Sequence, residues 1–224
     1  MLPQTAARGA LAEVRAILFD LDNTLVDRDA AVRTWLRRVL GDAGAVEEAL
    51  ARDDGGRADR GAFCAWLAAR CPRLFEDAQA AWERFSTDVP ALVRPRRDVV
   101  RTLERLSSRY RLALVTNGGA RTQRAKLARA GLDRFFHPSR VLVSEEQRCA
   151  KPERAIYERA LASLGVGAGE ALFVGDHPLH DVAAPASLGM YTCWVAPPDR
   201  TGAAATLRVA HVRELPIHLA SERP

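Results

Sequence analysis

Apolar residues follow two different rhythms along this chain. Val14 to Leu21 is a short run interrupted only by Arg15 and Asp20, the pattern of a strand buried on both faces. From Asp29 to about Asp88 the spacing turns helical. In "DAAVRTWLRRVL" the residues Val32, Trp35, Leu36 and Val39 share one face. "DRGAFCAWLAARC" starts with Asp59 as an N-cap and sets Phe63, Trp66, Leu67 and Arg70 around the following turns. "EDAQAAWERF" predicts a further helix, and "VPALVRP", with Pro90 and Pro95, ends the helical pattern. Trp35, Trp66 and Trp82 fall in this block and are expected to form its core; the alternative places one of them in a substrate cleft.

Beyond Pro95 the two rhythms alternate. The pattern predicts a helix over Asp98–Ser108, a strand over Arg111–Thr116, a helix over Ala120–Ala130 closed by Gly131, and a short strand at Val141–Val143. A helix then runs over Pro152–Leu164, opened by Lys151-Pro152 and closed by Gly165. A strand at Ala171–Val174, a helix at His180–Leu188, a strand at Met190–Val195 and a weak helix around Val212–Leu219 complete the series. Such alternation implies an α/β fold, a Rossmann-like parallel sheet with helices on both faces. The first dozen residues read as a loose leader. The domain reading is therefore an α/β core over 1–26 and 95–224, interrupted after its first strand by a small all-helical domain over 27–94.

Composition narrows the partners. The chain has 224 residues, a formal charge of +5, and 48% hydrophobic residues, enough for a substantial core. A basic balance favours anionic partners, but the arginines are scattered among acids. Clusters such as Arg37-Arg38 and Arg94-Pro95-Arg96-Arg97 are too small for a nucleic-acid surface. Cys64, Cys71, Cys149 and Cys193 form no C-x-x-C pair, which argues against a zinc site. With no secretory pattern at the start and no stretch of bilayer-spanning length, the reading is a reduced, cytoplasmic protein with free thiols and a solvated basic surface, with no nucleic-acid polymer or membrane as partner.

Chemistry collects at the predicted strand ends, where ligands bind in open parallel sheets. The first strand ends in Asp20-Leu21-Asp22-Asn23-Thr24, the second in Thr116-Asn117-Gly118-Gly119, and the fourth in Gly175-Asp176-His177, followed by His180-Asp181. Asp20 and Asp22 start on one side of the strand because side chains alternate, and two close carboxylates repel unless a cation or proton lies between them. Acids from two strand ends suit a hard divalent cation, and magnesium fits because it tolerates few protein carboxylates. Thr116, the backbone N–H groups near Asn117 and Gly118, and Lys151 offer donors for an anion. His177 and His180 are expected to shape their loop or face the cleft rather than bind metal, and Asn23 and Asn117 to fix loop geometry.

In this setting "DLDNT" resembles the D-x-D-x-T motif of the haloacid dehalogenase-like hydrolases, most of which are magnesium-dependent phosphatases. "VTNG", "KP" and "GDHPLHD" resemble that family's second, third and fourth motifs, in order, and the helical block resembles the cap inserted after the first motif. The resemblance implies that Asp20 is the nucleophile. Asp22 would protonate the leaving oxygen and then activate water. Asp20, the backbone carbonyl of Asp22, and Asp176 would hold magnesium, with Asp181 supporting directly or through water. Thr116 and Lys151, with Asn117 and Gly118, would hold the phosphoryl group. The implied substrate is a small phosphomonoester: a nucleotide, a sugar phosphate or a phosphoglycolate-like compound.

Rival readings are a phosphomutase on the same core and a non-catalytic phosphate-ligand binding protein. Dehalogenases of the family work without metal and lack the second acid, so Asp22 argues against that chemistry. Lysine use adds a separate signal. Only Lys126 and Lys151 are lysines among 33 basic residues, and a compact ammonium is not interchangeable with a guanidinium fork. Lys151 sits at the third motif, while Lys126 reads as an ordinary helix-surface residue.

Overall fold

A computed structural model of the chain describes residues 11–219, so the expected N-terminal leader lies almost wholly outside the described residues. Strands β1 (Ala16–Phe19), β2 (Arg111–Thr116), β3 (Val141–Val143), β4 (Ala171–Gly175), β5 (Tyr191–Val195) and β6 (Leu207–Val209) form one sheet in the order β3-β2-β1-β4-β5-β6. All neighbouring strands pair parallel. Every residue of β1 and β4 is buried, which accounts for their unbroken apolar runs. One face of the sheet packs Ala16, Leu18, Val115 and Phe173 against Ile156, Tyr157 and Leu161 of the Arg154–Leu164 helix. From β1 the chain winds outward through β2 and β3, then returns to β4 and winds the other way. The topological switch therefore falls between β1 and β4, where α/β sheets place their ligands.

The chain divides into two compact units, one reaching Val26 and resuming at Pro95, the other Asp27–Arg94. The second is helical, with helices Arg28–Leu40, Ala43–Asp53, Arg60–Arg70 and Ala78–Leu92. Each starts on an aspartate. Asp27, Asp42, Asp59 and Asp77 accept hydrogen bonds from the N–H groups of Ala30, Ala45, Ala62 and Ala80 at 2.7–2.9 Å, satisfying orphan donors of the first turn. Trp35 is the buried centre of this unit, edge-on to Phe85 at 5.3 Å and tilted against Phe75 at 6.1 Å. Trp66 and Trp82 are half-buried and stack on Phe63 and Phe85, so only one of the three tryptophans is a full core residue. Arg28 forks onto Asp53 at 2.7 and 2.9 Å, and Arg60 adds a 2.8 Å bond to the same carboxylate. These cations hold the buried Asp53 carboxyl below its ordinary range against the cost of burial.

Several boundaries differ from the sequence expectation. The fourth helix of this unit continues through Pro90 to Leu92, since a proline in the last turn still leaves the preceding turns bonded. The Ala43–Asp53 helix and β6 are additional elements. The helix expected at Pro152 starts at Arg154, because the side chain of Asn117 takes both the N–H and the carbonyl of Lys151. The expected His180–Leu188 helix is a π-helical turn over Pro178–Ala183 followed by one α-turn, Ala184–Ser187.

Candidate active site

Asp20 follows β1 directly, and its N–H donates to the carbonyl of Val174 at 2.9 Å, carrying the β1–β4 ladder one residue further. Its buried carboxylate accepts from Lys151 Nζ at 2.7 Å. The same ammonium donates to Asp181 Oδ1 at 2.7 Å and lies 5.4 Å from the centre of the Phe173 ring. The other oxygen of Asp181 accepts from the N–H of His177 at 2.9 Å. Carboxylate oxygens of Asp20, Asp176 and Asp181 come within 4.8 Å of one another. This oxygen-only donor set fits a hard divalent cation.

Charge explains why such a cluster needs help. Burial, with the neighbouring Asp181 and Asp176 carboxylates, pushes the Asp20 carboxyl up to about 8 although Lys151 pulls the other way. Burial alone would weaken the Lys151 ammonium. Asp181 and Asp20 outweigh that and hold it above the usual lysine range. One lysine shared between two acids, with a third nearby, leaves an excess of negative charge that a bound cation would balance.

Gly175 makes the cluster possible. A Cβ there would lie 2.3 Å from both Cγ and Oδ2 of Asp181, so no larger residue fits while Asp181 stays on Lys151. Gly175→Ala should expel Asp181 and cost about 2–3 kcal/mol by overpacking, lowering the melting temperature by several degrees. A melt matching wild type would show that Asp181 has room to spare.

Asp22 lies apart from these three carboxylates and faces a second network. Lys126 Nζ reaches both of its oxygens, at 2.8 and 2.7 Å, and Gln123 Nε2 reaches Oδ2 at 3.2 Å. Gln123 also donates to Thr116 Oγ1 and accepts from Lys126 at 2.8 Å. Thr116, Gln123 and Lys126 are all buried. Lys126 is thus a buried partner of Asp22 rather than a helix-surface residue. The correction follows from helix geometry: Gln123 and Lys126, three apart on the Ala120–Arg129 helix, share its inward face.

The remaining expected site residues serve these two networks. Asn117 clamps the backbone of Lys151 in both directions, at 2.8 and 2.9 Å. The N–H of Gly118 donates to Ser144 Oγ at 2.9 Å. Gly118 has φ 134°, and a Cβ there would press on Gln123 at 3.2 Å, so glycine keeps that side chain in place. Nδ1 of His177 accepts from the N–H groups of Leu179 and His180, and the two imidazoles stack with centres 3.9 Å apart, so His177 shapes the loop as expected. Trp194 Nε1 steadies the Asp176 carbonyl at 2.9 Å. Gln123, Ser144 and Trp194 carry no motif signal, and Lys126 stands out in the sequence only by the rarity of its residue type.

A match to the family model described as haloacid dehalogenase-like hydrolase spans residues 14–189. Human N-acylneuraminate-9-phosphatase is 28% identical over 94% of this chain and 96% of its own length. The phosphoserine phosphatase of Thermus thermophilus is 40% identical over 46% of this chain, a match that spans 42% of that relative. The HAD-hydrolase YfnB of Bacillus subtilis, solved bound to magnesium, superimposes with a TM-score of 0.79 at 21% identity, over 93% of this chain and 99% of that one. That likeness shows a shared fold, and 2-haloacid dehalogenases share it too. With its four motifs gathered at the switch point of one parallel sheet and the family model covering most of its length, the chain belongs to the haloacid dehalogenase-like hydrolases.

Proposed function

We propose that this hydrolase is a magnesium-dependent phosphatase that cleaves a small phosphomonoester through an aspartyl phosphate on Asp20. The observation that carries the reading is Lys151 bridging Asp20 and Asp181 beside Asp176, which joins a buried nucleophile, an anion-holding cation and a metal-fitting acid cluster. Asp20 Oδ attacks phosphorus as the bond to the leaving oxygen breaks, and Asp22 gives that oxygen a proton, releasing an alcohol. Water then attacks phosphorus while Asp22 takes its proton. The bond to Asp20 breaks, freeing inorganic phosphate and restoring the carboxylate. Lys151 and Thr116 hold the transferring group throughout. Asp20, Asp176 and the backbone carbonyl of Asp22 would hold magnesium, with Asp181, already engaged by Lys151 and His177, in support. When bound, the ion supplies positive charge against the phosphoryl oxygens.

The relatives named as phosphatases of phosphoserine, N-acylneuraminate 9-phosphate and glyceraldehyde 3-phosphate support a small phosphorylated metabolite as substrate. We read the Asp27–Arg94 unit as the cap that selects it. The four cysteines are free, which suits the cytoplasm, and among the described residues no helix is long and apolar enough to cross a membrane.

The test is phosphate release from nucleotides, sugar phosphates, phosphoglycolate and an aryl phosphate. Activity should need magnesium and be inhibited by calcium, which prefers more ligands at longer distances. Full turnover after exhaustive chelation would refute the metal requirement. Independently of activity, magnesium at about a hundred times its Kd should add about 2.7 kcal/mol of stability, or roughly 5–10 °C in Tm. Asp176→Asn should remove most of that shift.

A further inference from the structure

The acids of the site are sorted by two cations. Lys151 holds Asp20 and Asp181, and Lys126 holds both oxygens of Asp22. These are the only lysines of the chain, and each is only 4% exposed. All other basic residues are arginine or histidine. We propose that Lys126 is a positioning residue for Asp22, keeping its carboxylate out of the Asp20–Asp176–Asp181 cluster and tying it through Gln123 to Thr116.

Three observations support this. The Asp22 carboxylate is half-buried, yet both oxygens rest on one buried ammonium. Gln123 is shared between Asp22, Lys126 and Thr116, so the group that holds phosphate and the group that moves protons are fixed by one amide. Gly118 leaves the room that Gln123 occupies. Without Lys126, both oxygens of Asp22 lose the ammonium that fixes them, and the carboxylate would be drawn toward the cation that the neighbouring acids suit. It would then be misplaced for the leaving oxygen and for water. An error of about 1 Å can cost on the order of a hundredfold.

The inference rests on the phosphatase reading, and the experiment separates the two. Lys126→Met keeps an unbranched stem of similar reach and removes the ammonium. With an alkyl phosphate, kcat should fall roughly 10- to 100-fold while KM changes little, because Lys151 and Thr116 still hold the phosphoryl group. With 4-nitrophenyl phosphate the leaving group departs without a proton, but hydrolysis of the aspartyl phosphate still needs Asp22. Rapid mixing should therefore show a burst approaching one nitrophenolate per site, then slow turnover. In an Asp22→Asn background, Lys126→Met should cause no further loss. Equal losses on both substrates without a burst, or additive losses in the double variant, would overturn the role of Lys126 and leave the phosphatase reading standing. A wild-type protein that hydrolyses neither phosphate overturns both. Should Lys126→Met fail to fold by thermal melt, Lys126→Gln, which is uncharged and keeps a polar NH2 donor on a shorter stem, carries the same tests.

Discussion

Asp20→Asn is expected to abolish turnover and leave the protein folded. The amide keeps the shape of the side chain but has no anionic oxygen to attack phosphorus, and removal of a covalent nucleophile costs about four orders of magnitude or more. Stability should move the other way. Burial, with Asp181 and Asp176 beside it, pushes the Asp20 carboxyl up to about 8, well above its unfolded range. In metal-free protein the folded state therefore holds a proton that the unfolded state has lost, between the ordinary carboxylate range and about pH 8. Stability contributed at Asp20 is present at the acid end of that window and lost as pH rises through it. D20N lacks this slope. Urea midpoints at pH 5.5 and pH 8 in chelator should show wild type losing ground to the variant at the higher pH. Appreciable turnover by D20N would end the covalent mechanism, whereas parallel pH trends would mean that the acids repel less than their spacing implies.

The second large effect is expected from Lys151→Arg, in a protein that uses arginine almost everywhere else. A helix-capping role would tolerate the exchange, but Lys151 lies before its helix and buries its ammonium between two acids from different loops. Two 2.7 Å bonds and the face of Phe173 define the space. A planar guanidinium keeps the charge but needs more room, so it must separate Asp20 from Asp181 or tilt away from both. Turnover should fall about a hundredfold. Overpacking a buried site costs about 1–3 kcal/mol, so Tm should drop by a few degrees as well. Kinetics and melts on one preparation test both parts, and unimpaired catalysis would deny the ammonium any special place.

What could be read from the sequence follows from where signal concentrates. β1 and β4 are buried on both faces, so their apolar runs stand out, and each ends abruptly in acids; Asp20, Asp176 and Asp181 were visible for that reason. Lys151 was visible through its rarity. The same rarity applied to Lys126, but its helical surroundings, "RTQRAKLARA", are polar enough to pass for a solvated face. The approach of the Asp22 turn, Thr116 and Gly118 makes that face interior, through tertiary contacts that local spacing does not encode. Gln123 was hidden for the same reason. The Ala43–Asp53 helix was faint because alanine and glycine carry little periodicity, and β6 because its alternation lasts only three residues, Leu207 to Val209. At "KP" the motif was legible but its backbone was not, since the residue that keeps Lys151 out of the helix is Asn117, thirty-four positions away.

The burial of both lysines gives the protein an unusual chemical silence. Amine-directed reagents meet no readily accessible side-chain amine among the described residues, for Lys126 and Lys151 are each 4% exposed. Any acylation of these side chains must wait until the acid networks come apart, either by local opening at the strand ends or by global unfolding. The rate at which a small acylating reagent labels the two positions is therefore a clock for that opening. Peptide mapping would read the two networks separately, with one reporter amine between Asp20 and Asp181 and the other on Asp22.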